Sequence, residues 1–122
     1  MNGIGIWFWV AIAGAVGAVA RLAVDGHVLA RTRGRLPWGT AVINLSGAFV
    51  LGAIVGAAPS HEFVLIVGTG FLGAYTTFST WMLETLLLGE SGRSNAAIIN
   101  IAGQVVAGLA LAAVGFALGL RW

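Results

Sequence analysis

This 122-residue chain has no cysteine, which excludes disulfides and thiolate metal sites and leaves the redox compartment unread. Charge is scarce as well. Six basic and four acidic residues make up only 8% of the sequence, against about 25% in an ordinary soluble domain. So few charges cannot wet the surface of a globule of this size, and lipid is the expected solvent over most of the chain. The net charge of +2 is no argument for nucleic acid: the basic residues, all arginine, are scattered or confined to one loop, and no basic face exists. No nucleophile–base pair or metal-binding cluster is visible and both histidines stand at the ends of runs, so an enzyme is not expected. Met1-Asn2-Gly3 lacks the positive start of a signal peptide, so the first apolar run is expected to stay in the mature protein.

Apolar residues supply 59% of the chain, and charges and the two prolines, Pro37 and Pro59, divide them into four runs. These predict transmembrane helices over 4–30, 37–57, 62–89 and 94–120, within a single transmembrane domain covering 1–122. Each run reaches the roughly 20 residues that a helix needs to cross a bilayer core of about 30 Å. The runs do not alternate polar with apolar, so barrel strands are excluded and the fold class is an all-α integral membrane protein.

The third run is too long and too irregular for one straight helix. As a single rod, 63–88 would reach about 39 Å. It also carries Gly68, Gly70 and Gly73, followed by Thr76-Thr77-Phe78-Ser79-Thr80. Glycines and clustered β-branched residues form helix poorly, so a break is expected near Gly73–Thr77. Irregular backbone at membrane depth persists only beneath protein or beside a water-filled path, and such breaks commonly face an ion. Gly68-Thr69-Gly70-Phe71-Leu72-Gly73 also matches a GxGxxG fingerprint, with Glu90 about 20 residues on. That motif binds dinucleotides only in a strand–turn–helix unit, so here it reads as close helix packing or the approach to the break.

Four helices place both termini on one side. Arg31, Arg33, Arg35 and Arg93 lie in loops at the opposite side from Arg121, which favours cytoplasmic arginine loops. The pairs Gly52 and Gly56, and Gly115 and Gly119, read as close helix packing within or between subunits. Oligomerisation is expected, because four short helices cannot easily enclose a polar path.

A few polar residues stand inside the runs. Asn44 and Thr40 share a face of the second helix, and Asn100 and Gln104 share one of the fourth. With Ser79 and Thr80 they supply either interhelical hydrogen bonds or a polar track; beside a broken helix, the track is the preferred reading. Its donors are neutral, which suits an anion better than a cation. Arg21 serves a vestibule or snorkels to the interface, while Asp25 and His27 near the same end read as solvated or locally paired. Glu84 is the one carboxylate well inside an apolar run, and burial in lipid favours a functional or hydrogen-bonded role. It also leaves open an alternative class: a small dual-topology, proton-coupled drug exporter.

Gly14 to Arg21 (GAVGAVAR), Trp38 to Gly47 (WGTAVINLSG) and Gly70 to Glu84 (GFLGAYTTFSTWMLE) resemble the Fluc (CrcB) family of fluoride channels. The resemblance implies antiparallel dimers of four-helix subunits in the cell membrane, with two pores at the interface that passively export cytosolic fluoride. It implies that Asn44 donates an amide into the pore, that Phe78 meets fluoride through its ring edge, and that Ser79 and Thr80 line the adjacent track. Glu84 matches the family's helix-three glutamate. The carbonyls of Gly73 and Thr76 match those that hold a central structural sodium ion together with their dimer mates. Trp81 stands where the family usually has a second phenylalanine, and Gln104 stands near a position where a small hydroxyl residue is expected. With the arginine asymmetry, these departures raise the alternative of an obligate heterodimer with a paralogous subunit of opposite orientation.

Overall fold

A computed structural model describes residues 3–34 and 36–122; Arg35 of the expected arginine loop and Met1-Asn2 lie outside them. Among the described residues, four helical spans are long and apolar enough to cross a membrane, at Gly3–Thr32, Trp38–Ala57, His61–Glu90 and Ser94–Gly119. No strand occurs among the described residues. We number the helices α1 (Gly3–Thr32), α2 (Trp38–Ala57), α3 (61–75), α4 (Ser79–Glu90) and α5 (Ser94–Gly119), with α3 and α4 the two halves of the third span.

The ends of the helices follow from local chemistry. Ala58 closes α2 in the left-handed region and donates to the Val55 carbonyl, and Pro59 then prevents continuation. The Ser60 hydroxyl accepts the Phe63 amide and starts α3. At the end of α4, Gly92 has a φ of 79°, a conformation that costs glycine little. It lets Arg93 N–H reach the Leu88 carbonyl at 2.9 Å and reverses the chain into α5.

α2 and α5 pack most extensively, along the glycine pairs that the sequence singles out. A Cβ at Gly52 would collide with the Ala112 carbonyl oxygen, and one at Gly115 with the carbonyl of Phe49. The two backbones therefore touch, and this packing lies within one subunit. α1 runs beside the third span in the same direction, with Gly70 within 2.8 Å of the Val10 carbonyl at its would-be Cβ. Large apolar side chains such as Trp7, Phe8, Leu22, Ile98 and Leu109 stay exposed, as expected of a surface meant for lipid or another subunit.

The third span holds two irregularities. After one turn of α-helix, Val64–Leu72 is a π-helix, and the Gly73 N–H reaches back to the carbonyls of Gly68 and Gly70. A π segment takes up extra residues per turn and rotates everything beyond it. The span then runs out at Thr76, whose φ of −79° and ψ of 161° are extended. Helix resumes at Ser79. The break, at 76–78, overlaps the Gly73–Thr77 stretch where composition predicts it and reaches one residue further.

Candidate functional site

The break is held by one side chain. The Asn44 carbonyl oxygen accepts the Thr77 N–H at 2.9 Å, and the Asn44 amide donates to the Thr77 carbonyl, also at 2.9 Å. The side-chain amide thereby takes the place of a backbone partner for both polar groups of Thr77. In a continuous helix the Thr77 N–H would go to the carbonyl of Gly73, so this pairing releases that carbonyl. The Thr77 hydroxyl accepts the Thr80 N–H at 3.3 Å and donates to the Thr80 hydroxyl at 3.1 Å, which caps the first turn of α4. Thr77 is a residue of the break that the sequence did not single out; its place in the Thr-Thr run was the available signal.

A ladder of side chains continues from Asn44 across α5. The second amide hydrogen of Asn44 goes to Gln104 Oε1 at 3.1 Å, and Gln104 Nε2 donates to Asn100 Oδ1 at 3.0 Å. Asn100 Nδ2 then donates to the Thr85 hydroxyl at 2.9 Å, and that hydroxyl donates to the Trp81 carbonyl at 2.8 Å. Both Asn44 amide hydrogens are therefore committed inside the subunit, so Asn44 clamps the break where the resemblance implies a donor aimed into a pore. The indole N–H of Trp81 is also committed, to the Asn100 carbonyl at 3.0 Å. Gln104 and Asn100, paired in the sequence reading by spacing alone, are paired in space.

Phe78 sits at the N-terminus of α4 with 70% of its surface exposed. Its ring meets Trp81 edge to face, with centroids 5.8 Å apart and planes at 85°. Ser79 and Thr80 are exposed beside it. Phe78, Trp81, Asn44 and Gln104 line a cleft of about 400 Å³ together with Gly73, Thr76 and Thr77. Just before the break, the Tyr75 hydroxyl lies 3.0 Å from the Ser46 hydroxyl, which itself donates to the Ile43 carbonyl. Neither Tyr75 nor Ser46 was singled out from sequence.

The charged candidates separate into two places. Arg21 reaches from α1 to the carbonyl of Thr76 at 3.4 Å, the long limit of a hydrogen bond. It stands about 16 Å from the end of α1 and is directed at the break. Glu84 lies towards the arginine loops, where its Oε1 accepts from the Thr40 hydroxyl at 2.8 Å and its Oε2 is buried with no hydrogen-bond partner. Asp25 and Glu84 border a second cavity of about 310 Å³ shared with Thr32 and Arg93, outside the cleft of Phe78.

Set against known proteins, residues 8–116 match the family described as CrcB-like protein, Camphor Resistance (CrcB). The chain belongs to the CrcB family. It is 51% identical over 115 residues to a "Fluoride-specific ion channel FluC 2" of Mycolicibacterium paratuberculosis, covering 94% of each chain. It is 46% identical to a protein of the same designation in Mycobacterium tuberculosis, covering 92% of this chain and 89% of that one. A "Fluoride-specific ion channel FluC 1" of Symbiobacterium thermophilum is 41% identical, covering 93% and 96%. The break, the amide ladder and both cavities fall within the CrcB match, so the likeness covers the whole candidate site.

The carbonyls of Gly73 and Thr76 fit a small hard cation in kind but not in number. The break releases both from helical pairing, and the Thr76 oxygen already faces the positive charge of Arg21. Two oxygens are fewer than the six or so that such an ion takes, so a site here needs further oxygens.

Proposed function

We propose that this CrcB protein is one subunit of a fluoride-selective channel that lets the anion leave the cytosol passively and keeps its intracellular concentration low. The observation that carries the reading is the start of α4 at membrane depth, with Phe78 exposed at the break and edge-on to Trp81. A helix N-terminus carries about half a positive charge, and aromatic ring edges carry the positive side of the quadrupole. Together with the hydroxyls of Ser79 and Thr80 they stabilise a small anion without a fixed cation that would hold it too tightly. The designations of the relatives, fluoride-specific ion channels, support fluoride as that anion. In this role Asn44 keeps the break in shape and Gln104 holds Asn44.

One subunit leaves Phe78 and the cleft open to lipid, and a dehydrated anion there needs a wall on its other side. We therefore assign the channel to an antiparallel dimer, with Phe78 covered by the partner. The carbonyls of Gly73 and Thr76 would hold a sodium ion shared with the partner's equivalents, and the bound ion would supply a structural cross-link between the two breaks.

The partner is a paralogous subunit in the reading we favour. Arg31, Arg33 and Arg93 at one end against Arg121 at the other bias the chain to one orientation. An antiparallel dimer of identical chains has to insert half of them against that bias. Fluoride efflux from liposomes, read with an electrode against chloride, tests the function with the chain alone and with a co-expressed paralogue. Fluoride-selective efflux in either preparation supports the channel; efflux only from the pair supports the heterodimer. Folded protein that gives none in both preparations overturns the channel reading.

A further inference from the structure

A further groove lies on the other side of Gln104 from the cleft of Phe78. α2 and α5 touch along their glycine seam at one end of the bundle but separate towards the other, leaving a groove of about 420 Å³. Ala41, Leu45, Ile99 and Gly103 form its walls, Trp38 and Arg93 stand at its mouth, and Asn100 and Gln104 form its floor. The floor amides are already bonded to one another and to Thr85 and Asn44, so an apolar occupant would not strip them of partners. Around α5, the groove positions Ile99 and Gly103 lie on a different face from Gly108, which borders the cleft; Gln104 separates the two spaces.

We propose that this groove holds one acyl chain of an anionic phospholipid, with the headgroup phosphate at Arg93. Three observations select that occupant. From Arg93 to Gln104 the groove runs about 16 Å at the rise of an α-helix, which is the depth of one leaflet of a core about 30 Å thick. Its walls are apolar, while its mouth carries an arginine and a tryptophan at the level where lipid headgroups begin. Arg31 in the last turn of α1 and Arg33 just beyond it, with Arg35 next in the sequence, add positive charge at the same end of the bundle, so that with Arg93 the arginines outnumber Asp25, Glu84 and Glu90 by one. The excess favours an anionic headgroup over a zwitterionic one. The inference does not depend on what the protein conducts.

Native mass spectrometry and thermal unfolding of the full chain in detergent test it, with phosphatidylglycerol and phosphatidylcholine as probes. The wild-type protein is expected to retain and be stabilised by phosphatidylglycerol preferentially. Arg93→Gln should cut that preference about fivefold, the factor that ~1 kcal/mol per arginine near the surface corresponds to. Arg121→Gln, at the other end of the bundle, should leave it unchanged. Gly103→Leu should abolish binding of both lipids, because it fills a space where the nearest atom to an added Cβ is Ile99 Cγ2 at 3.9 Å. Equal binding of the two lipids by the wild type, or an equal loss in Arg121→Gln, would overturn the proposal. So would a change of oligomeric state in Gly103→Leu, which would make the groove an interface between chains. Should Gly103→Leu not fold, the comparison of Arg93→Gln with Arg121→Gln decides alone.

Discussion

Replacing Asn44 by alanine tests the central claim about the site, that one side chain holds the break in the third span. The substitution removes the two bonds to the Thr77 backbone and the bond to Gln104. Hydrogen bonds between helices in a membrane contribute about 0.6 kcal/mol each on average and up to about 1.7. Three at the mean amount to about 2 kcal/mol, and the Thr77 bonds should lie above the mean because lipid offers those backbone groups no replacement. The Thr77 amide should then open to solvent about thirtyfold more often. Hydrogen–deuterium exchange on a peptide covering 73–80, in nanodiscs, reads this directly, and fluoride efflux should fall with it. Asn44→Asp is the informative companion. It keeps an acceptor for the Thr77 N–H, so protection of that amide should survive, while its negative charge beside an anion path abolishes flux. If Asn44→Ala leaves both exchange and efflux at wild-type values, Asn44 is not the clamp and the account of the break fails.

Three further substitutions separate the parts of the reading. Phe78→Ile keeps apolar volume and loses the aromatic edge; the side chain is 70% exposed in the subunit, so folding should be unaffected while fluoride flux falls sharply. Unchanged flux in liposomes would remove Phe78 from the path. Gly73→Val places its Cβ no closer than 3.9 Å to any neighbour, so the subunit should still fold; the added bulk beside the shared carbonyls should instead weaken the dimer, seen as monomer on size-exclusion chromatography in detergent. A variant that stays dimeric would take Gly73 out of the subunit contact. Gly115→Ala drives a methyl group into the Phe49 carbonyl and forces α2 from α5, an overpacking cost of about 1–3 kcal/mol. Thermal unfolding should register the loss, and an unchanged transition would show that the two backbones do not touch.

Much of this architecture is written locally. Four spans follow from hydropathy, because a bilayer demands about 20 apolar residues per crossing whatever the neighbours do. The break is legible for the same reason: Gly68, Gly70, Gly73 and the threonines after them weaken helix wherever they stand. Asn100 and Gln104 are readable as a pair because i, i+4 spacing alone brings them together. The glycine pairs of α2 and α5 announce close packing, since only glycine lets two helix backbones meet.

Partners across helices are another matter, because they depend on how each helix is rotated and staggered against the next. Asn44 and Thr77 are 33 residues apart, and nothing in either neighbourhood says that one caps the other. The π-helix at Val64–Leu72 rotates everything after it, so the faces presented by Trp81 and Thr85 do not follow from counting along the third span. Tertiary packing alone turned the Trp81 indole to the Asn100 carbonyl, set Glu84 against Thr40, and brought Arg21 to the break. It also decided that Gly52 and Gly56 meet α5 within the chain and that the ring of Phe78 stays exposed. Sequence by itself determined where the chain crosses the membrane and where it yields, since both are properties of short segments in a fixed solvent. Which polar groups meet at the point of yielding was settled only when the helices packed, because each must find its hydrogen-bond partner within protein where lipid supplies none.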